Sequence, residues 1–260
     1  MEARSIFIGY DAREAEAFAV CRHSLRRFAP GVPIHAIDLQ TMRDAGLYWR
    51  PTSMRDGRMW DDISEAPCST AFAISRFLTP HLAQEGWALF VDCDFLARDP
   101  LNELFAQADP SKAVMVVKHH HEPPEGLKMD GQLQLRYARK NWSSCALYNV
   151  GHKANKRLTV DLINTVPGRD LHAFSWLANE EIGALDPEWN YLVGHTQLPD
   201  GAEPKLVHFT EGIPSMPGYE SVPYADEWRT ELRAWLREEI VVKGRPTTYA
   251  PPAYANGAAA

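Results

Sequence analysis

Short apolar runs, each followed by a turn or by acidic residues, limit this chain to a few architectures. Residues 5–9 form one such run, residues 13–28 carry apolar or small residues at helical spacing, and residues 34–39 form a second run. A strand, a helix and a strand in this order build a parallel sheet. Residues 87–91 are all apolar and are predicted to form a central buried strand. The pattern predicts an α/β fold with a mostly parallel central sheet flanked by helices.

The rest of the chain continues this alternation. Further helices are predicted over residues 69–82, 101–106, 159–164, 176–185 and 225–242, and further strands over 113–118, 145–150 and 205–209. Residues 41–69 are polar with little periodicity, which predicts a long loop with short helical turns. The chain contains no internal repeat and no clear linker, so residues 1–243 are predicted to form one domain. Residues 244–260 are rich in Pro, Ala, Gly and Tyr and are predicted to be a flexible tail.

Composition narrows the class of protein. The net charge of -7, from 27 basic and 34 acidic residues, argues against a general nucleic-acid binder. The four cysteines, Cys21, Cys68, Cys93 and Cys145, form no C-x-x-C pair, which favours reduced thiols over a zinc site or a disulfide scaffold. The chain enters a strand almost at once and has no apolar run of membrane-spanning length. We therefore expect a cytoplasmic protein, with peripheral contact at the inner face of a membrane as an alternative.

Two carboxylates, Asp92 and Asp94, follow the central strand. Ligands bind at the carboxyl ends of strands in open α/β sheets, and alternate residues of an extended chain face the same side. The two charges would repel, and a divalent cation that also binds a diphosphate would relieve this repulsion. The alternatives are solvated loop carboxylates or Asp94 as a helix cap, and the tripeptide alone favours them. A haloacid-type hydrolase would carry Thr or Val where this chain has Leu96.

A histidine far downstream supports the metal interpretation. His208 lies in the run at residues 205–209, and Gly212 follows it in a turn. Imidazole suits Mn²⁺ beside carboxylates, although an isolated histidine is more often a core residue with a satisfied ring. We therefore predict Asp92, Asp94 and His208 as the ligands of Mn²⁺ or Mg²⁺.

Taken together, these motifs resemble the nucleotide-sugar glycosyltransferases of the GT-A fold. The resemblance is to the family 8 type, which includes glycogenin and bacterial lipopolysaccharide glycosyltransferases, and it runs from residue 6 to about residue 228. It is most specific over residues 75–78 and over LFVDCDFLARDPL at residues 89–101. It implies a metal-dependent, retaining hexosyltransferase that moves a sugar from a nucleotide-sugar to a glycan, a glycolipid or another acceptor. The first candidate for the donor is a UDP-sugar.

Two other functions stay open on the residues. A sugar nucleotidyltransferase would carry a Gly-rich phosphate loop with a Lys after the first strand, where this chain reads GYDAREAEAF. A nucleotide-sugar-binding protein without transferase activity is the second alternative, because the segment nearest the reacting carbon departs from the family pattern.

The resemblance also implies roles for individual residues. Glu180 or Glu181 would be the catalytic group, in an Asn-Glu-Glu segment where the family has Asp-Gln-Asp. The implied donor-binding residues are Tyr10, Asp11, Arg13, Arg76, Asp92, Cys93, Ser143, Ser144 and Gly212. Ser143 and Ser144 replace the family's (Ala/Ser)-Gly. The family's diphosphate-binding Lys has no clear counterpart near Gly212, which leaves Arg76, Lys205 or another basic residue for its role. The identity of the donor sugar is therefore left open.

Two polar stretches carry less weight. The histidine run at residues 119–121 is interpreted as a loop with one histidine facing the site, with metal binding as the alternative. Arg136, Arg139 and Lys140 either contact an anionic acceptor or face water.

Overall fold

The structure is a computed structural model that describes residues 2–119, 139 and 141–243, without the side chains of residues 240–243. The predicted tail at residues 244–260 lies outside the described residues. So do His120, His121, Arg136 and Lys140. Within the described ranges, no helix combines the length and the apolar character that a membrane span needs.

A six-stranded sheet forms the centre of the molecule, in the strand order β10-β8-β9-β6-β1-β2. Its strands are β1 (Arg4–Tyr10), β2 (Ile34–Asp38), β6 (Trp87–Val91), β8 (Val114–Val116), β9 (Cys145–Asn149) and β10 (Ile182–Ala184). β1 pairs in parallel with β2 and β6, β10 pairs in parallel with β8, and β9 runs antiparallel to both of its neighbours. All five residues of β6 are buried. The predicted α/β fold with a mostly parallel sheet is confirmed.

Seven α-helices accompany the sheet in the described residues: α1 (Ala15–Phe28), α2 (Leu39–Asp44), α3 (Thr79–Leu82), α4 (Asn102–Ala106), α5 (Val160–Thr165), α6 (Gly168–His172) and α7 (Ala225–Lys243). α1 buries Ala17, Val20, Cys21 and Leu25, the positions whose spacing predicts the helix. α7 packs on α1, and a hydrogen bond of 2.6 Å between His23 Nδ1 and Glu231 Oε1 joins the two helices.

A second, three-stranded sheet begins just after the end of β6 in the chain. It consists of β7 (Phe95–Ala97), β11 (Tyr191–Leu192) and β12 (Leu206–His208), in the order β11-β12-β7. β12 runs antiparallel to β7 and places His208 opposite Phe95. Because Phe95 directly follows Asp94, this pairing brings the distant histidine to the acidic pair.

A third sheet, which we call the insert sheet, corrects the prediction of a loop over residues 41–69. It consists of the antiparallel strands β3 (Thr52–Arg55), β4 (Arg58–Asp61) and β5 (Ala66–Pro67). Asp56 and Gly57 connect β3 to β4 with φ angles of 50° and 72°. An Asp-Gly pair with both φ angles positive is a favoured two-residue hairpin turn. This Asp-Gly pair was the available sequence signal for a hairpin, but the strands beside it are polar and lack the alternation that predicts a strand.

Two predicted helices are also corrected. Residues 176–185 form a short 3₁₀ helix (Asn179–Glu181) and the edge strand β10, not one helix. Gly183 in β10 packs against Met115, with the sulfur 2.0 Å from the position that a Cβ would take. Residues 69–82 form a 3₁₀ helix (Ser75–Leu78) followed by α3, so the predicted helix begins six residues too early.

Candidate active site

Three side chains converge where β6 ends. The backbone N–H of Asp92 donates to Ser144 O at 3.0 Å, and the N–H of Phe209 donates to Asp94 O at 3.0 Å. The Nε2 atom of His208 lies 3.2 Å from Asp94 Oδ1. One ligand atom from each of Asp92, Asp94 and His208 lies within 4.8 Å of the other two, an arrangement compatible with a divalent metal ion.

The carboxylate oxygens of this cluster fit a cation. Asp92 Oδ1 and Asp94 Oδ1 are buried, and neither accepts a hydrogen bond from the described part of the chain. Arg76 Nη1 lies 2.7 Å from Asp92 Oδ1 as an ion pair. Each of these oxygens thus lies beside one basic group, Arg76 or His208, and a bound ion would satisfy the lone pairs that the protein leaves without a hydrogen bond.

The histidine is held with one nitrogen facing the two carboxylates. His208 Nδ1 lies 3.1 Å from Asn190 Oδ1, and the Asn190 amide nitrogen donates to Ser144 Oγ at 3.0 Å. Because the amide nitrogen serves as the donor, its oxygen accepts from Nδ1–H of the histidine. The Nε2 lone pair of neutral His208 is therefore available to a metal, as in histidine ligands oriented by a second group. Phe95 stacks on the imidazole at 4.2 Å.

Without a cation, the pKa values of Asp92 and His208 are both raised. Burial raises the pKa of Asp92 to about 7, Arg76 opposes this shift, and Asp94 reinforces it. For His208, burial lowers the pKa, but the Asp94 carboxylate raises it by more than burial lowers it, so the net shift of the pKa is upward. Both groups thus hold protons more tightly than they do in water, and a cation that binds here displaces them.

Arg76 lies at the back of the site. Its guanidinium lies over the rings of both Phe72 and Phe90, 5.3 Å and 5.2 Å from their centroids, and it donates to the carbonyls of Ala73 and Ser143. Together with the ion pair to Asp92, these contacts hold a permanent positive charge beside one carboxylate. The structure therefore places this predicted donor-binding residue where it offsets part of the negative charge of the site.

A cleft of about 450 Å³ opens in front of the cluster, and we call it the donor cleft after the predicted role of several residues that line it. Of the predicted donor-binding residues, Arg76, Asp92, Ser143 and Ser144 line it. Ser143 Oγ lies 2.7 Å from His172 Nδ1, and burial lowers the pKa of that histidine to about 3, so it is neutral.

Asp11 and Arg13 shape the cleft wall and do not line the cleft. Arg13 donates to the Asp11 carboxylate, with Nη2 at 2.6 Å from Oδ2, and also to Ser69 O at 3.0 Å. Asp11 in turn accepts from Ala71 N at 2.8 Å. The pair therefore fixes residues 69–71, of which Ser69 faces the cleft.

Tyr10 and Gly212 lie away from the lining of the donor cleft. The Tyr10 ring contacts Phe18 edge-on at 5.1 Å and lines a groove between α1 and α7. Gly212 packs under the Tyr219 ring, with a ring atom 2.6 Å from the position that a Cβ would take. Their predicted contacts with the donor stay predictions.

Glu180 and Glu181 lie in the 3₁₀ helix before β10, and neither lines the donor cleft. Glu181 forms an ion pair with Arg157 and accepts from Ala178 N at 2.8 Å. The backbone oxygen of Glu180 accepts from Lys112 Nζ at 2.9 Å. The catalytic assignment stays a prediction, and Glu181 is held in a structural contact.

Several cleft residues were not predicted. Glu14 lines the cleft, accepts from the buried thiol of Cys93 at 2.9 Å, and has its pKa raised by burial. Its place in the segment GYDARE, between Asp11 and the first long helix, was the available signal. Asn190 is fully buried behind His208, and nothing in its local sequence indicates this role.

The histidine run contributes one described residue near the site. Burial lowers the pKa of His119 to about 4, and the proximity of His208 lowers it further. Its Nε2 atom is buried without a hydrogen bond among the described residues. His119 is therefore neutral, and its metal-binding alternative stays untested.

Solved structures share this fold. The chain aligns with the bifunctional glycosyltransferase WbbM at a TM-score of 0.56 and 16% identity, covering 93% of this chain and 51% of that chain. It aligns with the galactosyltransferase LgtC, solved in complex with donor and acceptor sugar analogues, at a TM-score of 0.57 and 16% identity, covering 88% of this chain and 95% of that one. The chain thus spans about half the length of WbbM. The GT-A fold predicted from the sequence is confirmed.

A relative at the sequence level is known. None of the known protein-family profiles matches the chain. It is 42% identical over 238 residues to Protein CDI of Arabidopsis thaliana, covering 90% of this chain and 87% of that protein. The chain belongs to the family of Protein CDI.

Proposed function

We propose that this protein is a metal-dependent glycosyltransferase of the family 8 type. It would move a sugar from a nucleotide-sugar to an acceptor hydroxyl, and a UDP-sugar is the first candidate for the donor. The observation that carries the proposal is the convergence of Asp92, Asp94 and His208 at a cleft, with one ligand atom of each within 4.8 Å of the other two. The likeness in fold to WbbM, named a glycosyltransferase, and to LgtC, named a galactosyltransferase, supports it.

The three ligands suit the chemistry of the leaving group. A nucleoside diphosphate gains negative charge as the glycosidic bond breaks, and a divalent cation supplies Lewis-acid stabilisation of that charge. Asn190 keeps Nε2 of His208 directed at the two carboxylates, and Arg76 offsets the charge of Asp92. The protein's contribution is thus a preorganised ligand set whose side chains need little rearrangement.

Polar groups along the cleft suit the rest of the donor. Thr70 Oγ1 is buried without a hydrogen bond among the described residues, and Thr70 lines the cleft. We propose that it contacts the donor together with Ser143 and Glu14. Arg139 and Arg169 also line the cleft and take the place of the family's diphosphate-binding lysine. Lys205 lies outside this lining and pairs with Glu103 at 2.8 Å.

We propose Glu180, in preference to Glu181, as the catalytic group nearest the reacting carbon. Glu181 is held by Arg157 and by the backbone N–H of Ala178, whereas the Glu180 side chain is exposed. The neighbouring Asn179 accepts a hydrogen bond from Arg139, which links this turn to the cleft. In the retaining reaction of the family type, the acceptor hydroxyl attacks from the face that the diphosphate leaves.

The test is a panel of nucleotide sugars with and without Mn²⁺. We expect one UDP-sugar to raise the melting temperature only with metal, and the folded enzyme to release UDP from it. Asp94→Asn should lose both effects. Metal-dependent binding of a donor without release of UDP would favour the non-catalytic binding protein, and absence of binding by every nucleotide sugar would contradict both.

A further inference from the structure

We infer that a second cleft beside the donor cleft binds the acceptor, and that this acceptor is a neutral sugar; the inference rests on the proposed function. The second cleft has a volume of about 470 Å³ and lies between the insert sheet and α6. It shares Ser69, Arg169 and His172 with the donor cleft. Its volume is within the range of about 300–1,000 Å³ typical of small-molecule sites.

The shared residues show that the two clefts adjoin. Transfer of a sugar requires the acceptor hydroxyl to lie within bonding reach of the donor's anomeric carbon. A ligand seated in the second cleft would approach the donor cleft at Ser69 and His172, which line both. This is the arrangement that a two-substrate transfer needs.

The outer wall of the second cleft is fixed by a buried ion pair. Arg50 and Asp61 are 0% and 2% exposed, with Nε–Oδ1 and Nη2–Oδ2 distances of 2.5 Å and 2.6 Å. Arg50 Nη1 also donates to Ile163 O at 3.0 Å and to Val166 O at 2.6 Å. Since a buried pair contributes little net stability, its effect here is to fix the position of β4 against the end of α5.

The opposite wall approaches closely at a glycine. The N–H of Gly168 donates to Ser64 Oγ at 2.7 Å, and Ile74 Cδ1 lies 2.7 Å from the position that a Cβ of residue 168 would take. A larger residue here would push into the lining. The cleft is therefore preformed on both sides, which lowers the entropic cost of binding.

The charges of the lining favour a neutral ligand. Arg50 compensates Asp61, and His172 is neutral because burial lowers its pKa to about 3. Arg169 and Glu65 are the remaining charged side chains of the lining, and they have opposite signs. The lining therefore has no excess of positive charge to bind the phosphate of a phosphorylated acceptor.

The remaining lining combines small apolar and hydroxyl groups, namely Ile63, Ser64, Ala66, Pro67, Ser69 and Ile74. Aliphatic side chains suit the C–H faces of a pyranose, and hydroxyl and backbone groups suit its O–H groups. This mixture fits a sugar ring better than a wholly apolar chain.

Cys68 makes the cleft open to a direct test. Its side chain lines the second cleft and is partly exposed, whereas Cys21, Cys93 and Cys145 are fully buried. N-ethylmaleimide should therefore alkylate Cys68 alone in the folded protein and fill the cleft. Methyl methanethiosulfonate places a much smaller group on the same sulfur and serves as the size control.

The experiment measures two quantities on the metal-loaded enzyme: the melting-temperature shift caused by the active UDP-sugar, and transfer to a panel of methyl glycosides of glucose, galactose, mannose and xylose. We expect transfer to at least one glycoside, reduced by about tenfold or more after the maleimide reaction and less by the small reagent. The shift caused by the donor should persist. The rate of Cys68→Ser, whatever its value, should not respond to either reagent.

Transfer that survives complete alkylation, or failure of every glycoside in an enzyme that binds and hydrolyses the donor, would overturn the inference and leave the proposed function intact. Loss of the donor shift after alkylation would also overturn it, since the second cleft would then belong to the donor. If the untreated protein neither binds nor hydrolyses any nucleotide sugar, the proposed function itself fails.

Discussion

At the scale of single residues, Asn190 determines how His208 presents itself to a metal. It accepts from Nδ1–H of the imidazole and donates to Ser144 Oγ, so one amide fixes both the tautomer and the ring orientation. The sequence prediction identified the histidine and not this partner, because a buried amide behind a ligand has no motif of its own. The hydrogen bond is therefore a feature that only the three-dimensional structure reveals.

We predict that Asn190→Ala weakens Mn²⁺ binding by about 10–100-fold, the usual effect of removing a group that orients a metal-bound histidine. Asn190→Asp should retain most of the affinity, because a carboxylate also accepts from Nδ1–H. Mn²⁺ titration followed by electron paramagnetic resonance measures both, with circular dichroism to check folding. Equal affinity of the alanine variant and the unaltered protein would show that the orientation of the ring has no role.

At the scale of elements, the position of His208 depends on strand pairing between β7 and β12. The pairing sets His208 opposite Phe95, one residue after Asp94, and the run at residues 205–209 predicts the strand without its partner. The insert sheet is a different case. Its polar strands lack the alternation that indicates a strand, and its Asp56-Gly57 turn was the remaining signal.

The insert sheet is held by the buried pair of Arg50 and Asp61, which provides a test of its packing. Arg50→Leu should lower the free energy of unfolding by about 3–5 kcal/mol, because Asp61 is left buried without its counter-ion. The double variant Arg50→Leu/Asp61→Leu should recover much of this loss, since no charge is then left unpaired. Urea unfolding measures both. A double variant that is as unstable as the single one would mean that the pair itself supplies net stability.

At the scale of the whole molecule, the sequence predicts the sheet and the acidic pair because both follow local rules. Val91 completes an apolar strand, and Asp92 and Asp94 stand at its carboxyl end, where α/β proteins bind ligands. Tyr10 shows the limit of these rules: it ends β1 as expected, yet its ring lines a groove on α1. Which way a side chain leaves a strand end depends on helix packing, and the local pattern does not contain that information.

The stability of the metal-free protein should fall as pH rises from about 6.5 through about 7, the pKa of Asp92. The pKa of Asp92 is raised from 3.8 to about 7 and that of His208 is raised above 6.5, so the folded state binds more protons than the unfolded chain. The contribution of the Asp92 proton is complete below about 3.8 and is lost as pH rises through about 7, and that of the His208 proton is lost as pH rises above 6.5. The lowered pKa values of His119 (about 4) and His172 (about 3) have the opposite effect, a loss of stability as pH falls, and this effect is confined to pH below 6.5.

Melting temperatures across this range, with and without Mn²⁺, measure the effect. The decline should be smaller with Mn²⁺, which replaces the protons, and smaller in Asp92→Asn, which no longer titrates. A melting temperature that rises with pH in the metal-free protein would contradict the electrostatic description of the cluster.

The central claim is that Asp92, Asp94 and His208 hold one divalent cation. Its most direct test is the loss of the free-ion resonance of Mn²⁺ as protein is added, measured for the unaltered chain, Asp94→Asn, His208→Ala and the control Asp226→Asn, a carboxylate exposed on α7. We predict one Mn²⁺ bound per chain in the unaltered protein and the control, and loss of binding in the two cluster variants while circular dichroism stays native. Unchanged Mn²⁺ binding in folded Asp94→Asn and His208→Ala would contradict the account.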